Sequence, residues 1–256
     1  MNSQTARPRS RRQAAAFTLV DLLAIICVLA IGFALLTPAL ARTQPNTPDF
    51  QCFNNLRQLG RAFLMYAGDN AERLSYPNWG WTSDGWLYPN TATTGGTIPD
   101  PTLAPYKTNP VLAYQRGMLW SYVNRLETYR CPLDKTNTSN WRMRSNKLST
   151  YVMNGAVCGY GGLSSGGTYK LADFRPDAFI MWEPDYKGLY GMPGFNDASS
   201  FPDSSEGIGL RHGKFGGIAA TAGGGVEFVK YADWVKAASE PTKNRVWCNP
   251  GTANGR

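Results

Sequence analysis

The chain is short of charge, has one histidine, and lacks closely paired cysteines, and each shortage excludes something. Charged residues make up 17% of its 256 positions against 43% hydrophobic. That balance excludes an intrinsically disordered chain, because there is ample apolar surface to close a core. The four cysteines beyond position 50 are far apart, with no CxxC pair. Zinc sites usually draw ligands in close pairs, so the spacing argues against a metal cluster. His212 is the only histidine and no Gly-x-Ser-x-Gly stands anywhere, so a nucleophile–base arrangement has no visible parts. A hydrogen-bonded structural role for His212 is favoured. No internal repeat appears. What is abundant is glycine (27) and proline (17), which point to a turn-rich globular region.

Charge is also unevenly placed. Half of the net +8 sits on Arg7, Arg9, Arg11 and Arg12, within sixteen residues that contain no acid. The remainder carries too small an excess to suggest a nucleic-acid surface. After this basic lead, residues 22–36 hold no charged or strongly polar side chain, and the apolar character continues to Leu40. The 24 residues from Phe17 to Leu40 in a helix would span roughly 36 Å, enough to cross a bilayer. The preceding arginines would stay on the cytoplasmic side and send the bulk of the chain outward. Asp21 interrupts the start of the run. A carboxylate there requires a partner or a place at the headgroup level, and membrane physics alone leaves both open.

The stretch Ala16-Phe17-Thr18-Leu19-Val20-Asp21-Leu22-Leu23 resembles the processing site of type IV prepilins. The resemblance implies cleavage between Ala16 and Phe17 by a prepilin peptidase and methylation of the new Phe17 amine. It also implies that Asp21 meets the N-terminal amine of a neighbouring subunit during filament assembly. Two departures stand out: Ala16 replaces the usual Gly, and Asp21 the usual Glu. Pro38 falls where pilin helices often kink. Further phrases resemble the large pseudopilin-like branch with a C-terminal H-X9-DG element. They are Cys52–Gly60, Met65–Asn70, Tyr129–Asp134, Ser149–Gly155 and Arg211-His212, although Ala222-Gly223 stands where the family has Asp-Gly.

The expected organisation is a leader (1–16), a transmembrane and filament-core helix (17–41), and an exported globular domain (42–256). Pro45 and Pro48 break the helix. Thr47 or Asp49 can cap a new one, with Pro48 in its first turn. Phe53, Leu56, Leu59, Phe63 and Tyr66 recur every three or four residues, predicting an amphipathic helix that Gly68-Asp69-Asn70 ends. Residues 75–116 read as a long irregular insertion, and 118–123 as a short helix. Strands are predicted at 150–153, 178–182, 217–221 and 226–231, the last two joined by a hairpin over 222–225. The fold class is α+β: a broken N-terminal helix whose second half packs on an antiparallel sheet with long loops.

Several residues are candidates for chemistry or cross-linking. Four exported cysteines suggest two disulfides. Three pairings are possible, and Cys52–Cys131 with Cys158–Cys248 is the one expected here. Asp197, Asp203 and Glu206 share a loop that could hold calcium, though their spacing matches no defined calcium loop and solvated carboxylates are favoured. No other cofactor is implied. The tryptophans of Asn78–Trp86 could stack on a ligand, but packing as a lid on the core is favoured. The resulting expectation is a non-enzymatic pseudopilin of a type II secretion or type IV pilus-like filament. It would be anchored once in the inner membrane, with its C-terminal domain in the periplasm or on the cell surface. Its partners would be the prepilin peptidase, other pilin-like subunits, the membrane and an assembly platform. The competing expectation is a membrane-anchored lectin or adhesin that never polymerises.

Overall fold

The computed structural model describes residues 19, 22–29, 47–184, 195–203 and 205–256. The chain divides into two units, Met1–Gln44 and Pro45–Arg256. In the first, residues 22–29 are helical, and all eight side chains are exposed. Ala16, Phe17, Asp21, Pro38 and Pro45 lie outside the described residues. Among the described residues, no helix is long and apolar enough to cross a membrane.

The second unit is α+β. Its first element, α1 (Pro48–Asp69), begins where the sequence places a cap: Thr47 Oγ1 accepts from Phe50 N at 3.3 Å, with Pro48 in the first turn. Leu56, Leu59 and Phe63 are buried along one face, while Arg57 and Arg61 stay in solvent. Asn70 caps the end through its backbone N–H to Ala67 O. Short helices follow at Val111–Tyr114 (α2), Trp120–Val123 (α3) and Ser139–Met143 (α4).

Five strands form one sheet: β1 (Val152–Asn154), β2 (Phe179–Trp182), β3 (Ser199–Ser200), β4 (Gly216–Thr221) and β5 (Val226–Lys230). The order is β3-β1-β2-β4-β5. All neighbouring pairs are antiparallel except β1 with β3, so the expected purely antiparallel sheet is in fact mixed. The parallel pair arises because β3 returns to the edge beside β1 after a long excursion instead of a tight turn. The β4–β5 hairpin forms as expected, with Gly224 at φ +82° in its turn.

Both sheet faces are covered. Ile180, Ile218 and Ala220 point toward α1, and small side chains let the helix approach: a methyl placed on Gly60 would lie 3.8 Å from the Ala220 Cβ. On the other face, Phe179, Trp182 and Ala219 pack under α5 (Tyr231–Ser239), a helix the sequence reading did not anticipate. Its Trp234 ring centre lies 4.8 Å from that of Trp182 and 5.7 Å from that of Phe179. A bulge between Phe179 and Met181 shifts the alternation, which is how neighbours Ile180 and Met181 both join the α1 side.

Candidate functional site: a histidine between two carboxylates beside a disulfide

The first turn of α1 carries Asp49, and one turn later Cys52, three residues apart and therefore on one face. Cys52 is bonded to Cys131, with Cα atoms 5.1 Å apart. Cys131 follows a 3-10 turn, Leu126–Tyr129, and its N–H donates to Thr150 Oγ1 at 3.2 Å, just before β1. The helix start is thereby tied to the sheet.

His212 approaches the same place from the other end of the chain. It precedes β4 and forms an isolated bridge with Gly216. Glu183 directly follows β2, and Gly209 N donates to its carbonyl at 2.7 Å, which holds residues 208–212 alongside it. The ring of His212 is buried, and its Nδ1 is 2.6 Å from Asp49 Oδ1. Its Nε2 is 2.6 Å from Glu183 Oε2 and 3.9 Å from Cys131 Sγ. The Glu183 carboxylate is 1% exposed, yet neither of its oxygens receives an aligned hydrogen bond. Tyr151 is wholly buried nearby, and burial, then the Glu183 charge, pushes its phenol well above the usual range.

A neutral imidazole has one N–H and can satisfy only one of two carboxylates. Burial alone would push His212 down. The contacts with Glu183 and then Asp49 outweigh it, and the net shift is upward. No hydroxyl among the described residues hydrogen-bonds to the ring, and the sulfur beside it, Cys131 Sγ, is held in the disulfide. The set can bind a proton or a cation. Comparison with protein-family models, curated proteins and solved structures returns no match. The site has to be read from its own chemistry.

The sequence-predicted residues are distributed as follows. Cys52 and Cys131 are bridged, but Cys158 and Cys248 are buried free thiols, which corrects the second expected disulfide. Each has another partner: Cys158 Sγ donates to Gly155 O at 3.3 Å, and Cys248 Sγ accepts from Asn154 Nδ2 at 3.4 Å. Burial raises both thiols, to about 11 and about 12, so neither is a ready nucleophile.

Asp197, Asp203 and Glu206 do not converge on one point. Asp197 accepts from Gly80 N and Ser199, Asp203 from Ser205, and Glu206 from Phe201 N. Their oxygens are taken up by backbone N–H groups and serine hydroxyls, and among the described residues the one group placed to hold a metal is Cys52, Cys131, Glu183 and His212. In the aromatic segment, Trp86 is fully buried and donates to Ala198 O at 3.0 Å, Trp79 packs edge-on against Tyr160, and Trp81 alone is exposed.

Asp49 and Glu183 were missed by sequence reasoning. One signal existed for Glu183: an acid directly after the apolar run 178–182 is drawn into the core and needs a partner there.

Proposed function

We propose that this chain is a pilin-like filament subunit, held by its apolar N-terminal segment and carrying a disulfide-tied α+β domain on the outer side of the membrane. The observation that carries the reading is the exposure of the helical residues 22–29. Leu22, Leu23, Ile25, Ile26, Val28 and Leu29 are each at least 46% exposed. A contiguous apolar surface of this kind requires lipid or neighbouring copies to cover it. The prepilin-like sequence around Ala16 and Phe17 accounts for both, since such segments are anchored first and packed together afterwards. Asp21 would then face the Phe17 amine of the next copy, which removes the penalty of an unpaired charge in an apolar surround. Helix α1 fits the same reading, because it begins close behind the apolar segment and lies on the sheet. Head-to-tail contacts between such subunits generate open filaments.

The test is the charge at position 21. Asp21→Ala should abolish lateral cross-linking between copies in membranes while leaving membrane insertion intact, and Asp21→Glu should retain both. Undiminished cross-linking in Asp21→Ala would contradict a filament subunit and favour a solitary anchored protein.

A further inference from the structure

We propose that Cys52, Cys131, His212 and Glu183 form a tetrahedral site for a divalent cation of the zinc class whenever the Cys52–Cys131 bond is reduced. The four residues are buried, and one ligand atom from each lies within 4.8 Å of the others. A tetrahedral zinc ion with sulfur at about 2.3 Å and nitrogen or oxygen at about 2.0–2.1 Å sets its ligand atoms about 3.3–3.8 Å apart. The 3.9 Å from Cys131 Sγ to His212 Nε2 already approaches that spacing, and opening the disulfide releases the second sulfur to reach it.

Two observations point to a cation independently of the cysteines. Glu183 is buried with both oxygens lacking an aligned donor, and one of them is turned onto His212 Nε2. A shared ion between that oxygen and Nε2 would satisfy both groups. Beyond the ring, Asp49 Oδ1 lies 2.6 Å from Nδ1, placed to accept its proton when a cation occupies Nε2. A carboxylate behind a histidine in this way is the usual support of a metal-bound imidazole.

The chemistry balances with a dithiol reductant. Its two sulfurs form a new disulfide while the Cys52–Cys131 bond accepts two electrons and two protons. Binding of the cation then releases those two thiol protons, together with any proton on Nε2, to solvent. The helix start is tied to the body in either state, by a covalent bond or by a metal.

Cobalt(II) is the probe, added without oxygen to the reduced full-length chain in detergent and to the oxidised chain. The reduced chain should bind one equivalent with a thiolate-to-cobalt charge-transfer absorption and intense tetrahedral d–d bands, and zinc should displace it. The oxidised chain should give neither. Glu183→Gln and His212→Ala should lose the tetrahedral spectrum. Asp49→Asn, at a half-exposed position, should weaken cobalt binding about 10–100-fold with the spectrum retained. Replacing Cys158 and Cys248 by serine should change nothing. The proposal is overturned if the reduced chain shows no thiolate–cobalt absorption. It is equally overturned if the tetrahedral d–d bands survive in Glu183→Gln, or if the thiolate absorption disappears with Cys158 and Cys248.

Discussion

Removing Asp134 should cost the second unit, Pro45–Arg256, a large share of its stability in one step. Arg144 grips this carboxylate through both arms of its guanidinium, Nη1 to Oδ2 and Nη2 to Oδ1, each at 2.7 Å, and both side chains are 0% exposed. Thr150 Oγ1 donates to Oδ2 at 2.9 Å, and the Asp134 N–H closes a turn onto Cys131 O. Arg144 also lies 3.8 Å from the Phe195 ring centre and 5.0 Å from that of Trp141. The pair therefore joins the disulfide loop, the approach to β1 and the segment leading to β3. Asp134→Ala takes the two-armed carboxylate away from a buried guanidinium, and breaking a buried pair in this way costs about 3–5 kcal/mol. Total stability of a domain is about 5–15 kcal/mol, so the loss is a large share. Urea unfolding of the chain, followed by tryptophan fluorescence, measures it. Glu127→Ala, which breaks the exposed pair with Arg125, should leave the midpoint where it was. Replacing both buried partners by apolar residues should recover most of the loss. An Asp134→Ala protein within about 1 kcal/mol of the parent would refute the reasoning, because the loss of a buried two-armed ion pair is not so cheap.

Acidification should stabilise this protein over a window where many proteins weaken. Burial, opposed by the Phe201 N–H and reinforced by Asp197 and Asp203, pushes Glu206 from 4.5 up to about 7, and burial takes Asp197 to about 6. The folded state holds these protons more tightly than the unfolded one. The contribution of these two groups is therefore fully present below about pH 4 and is lost as pH rises toward 7, by about 3 kcal/mol for Glu206 at about 1.4 kcal/mol per pH unit. His212, also raised, extends the loss above pH 6.5. At Asp100 burial is outweighed by the Lys147 and Thr102 contacts, which lower the carboxyl, so this group acts in the opposite sense at lower pH. Glu206→Gln should flatten the profile in urea titrations between pH 4.5 and 7, and a parent whose stability climbs across that range would contradict the assignment. Reducing Cys52–Cys131 without metal should lower stability by about 2–4 kcal/mol, since the bond closes a sequence separation of 79 residues. Hydrogen exchange should rise first at the start of α1, and unchanged exchange there would mean that the bond is not what holds the helix.

What could be read in advance was whatever local pattern dictates. The three-and-four spacing from Phe53 to Tyr66 gave α1, and Pro48 with Thr47 gave its start. Glycines at 223–225 marked the β4–β5 turn, and the apolar run at 178–182 marked β2. β3 was hidden because Ser199 and Ser200 carry no apolar alternation and become a strand only by pairing with β1. α5 was hidden because its anchor, Trp234, is buried against two aromatic rings of β2 that the linear sequence does not place beside it. The second disulfide failed for a related reason: Cys158 and Cys248 each meet a backbone or amide partner instead of one another. His212 was read as structural from its isolation, but its two carboxylates lie 163 and 29 residues away. No spacing rule connects positions so distant.

The proposed assembly depends on a cut before Phe17, and the intact mass of the detergent-extracted protein reports it directly. A filament subunit of the prepilin kind should begin at Phe17 and carry one additional methyl group on its new amine. A chain that retains Met1 through Ala16 would contradict that origin, because its leader would then block the terminal nitrogen that Asp21 is expected to meet.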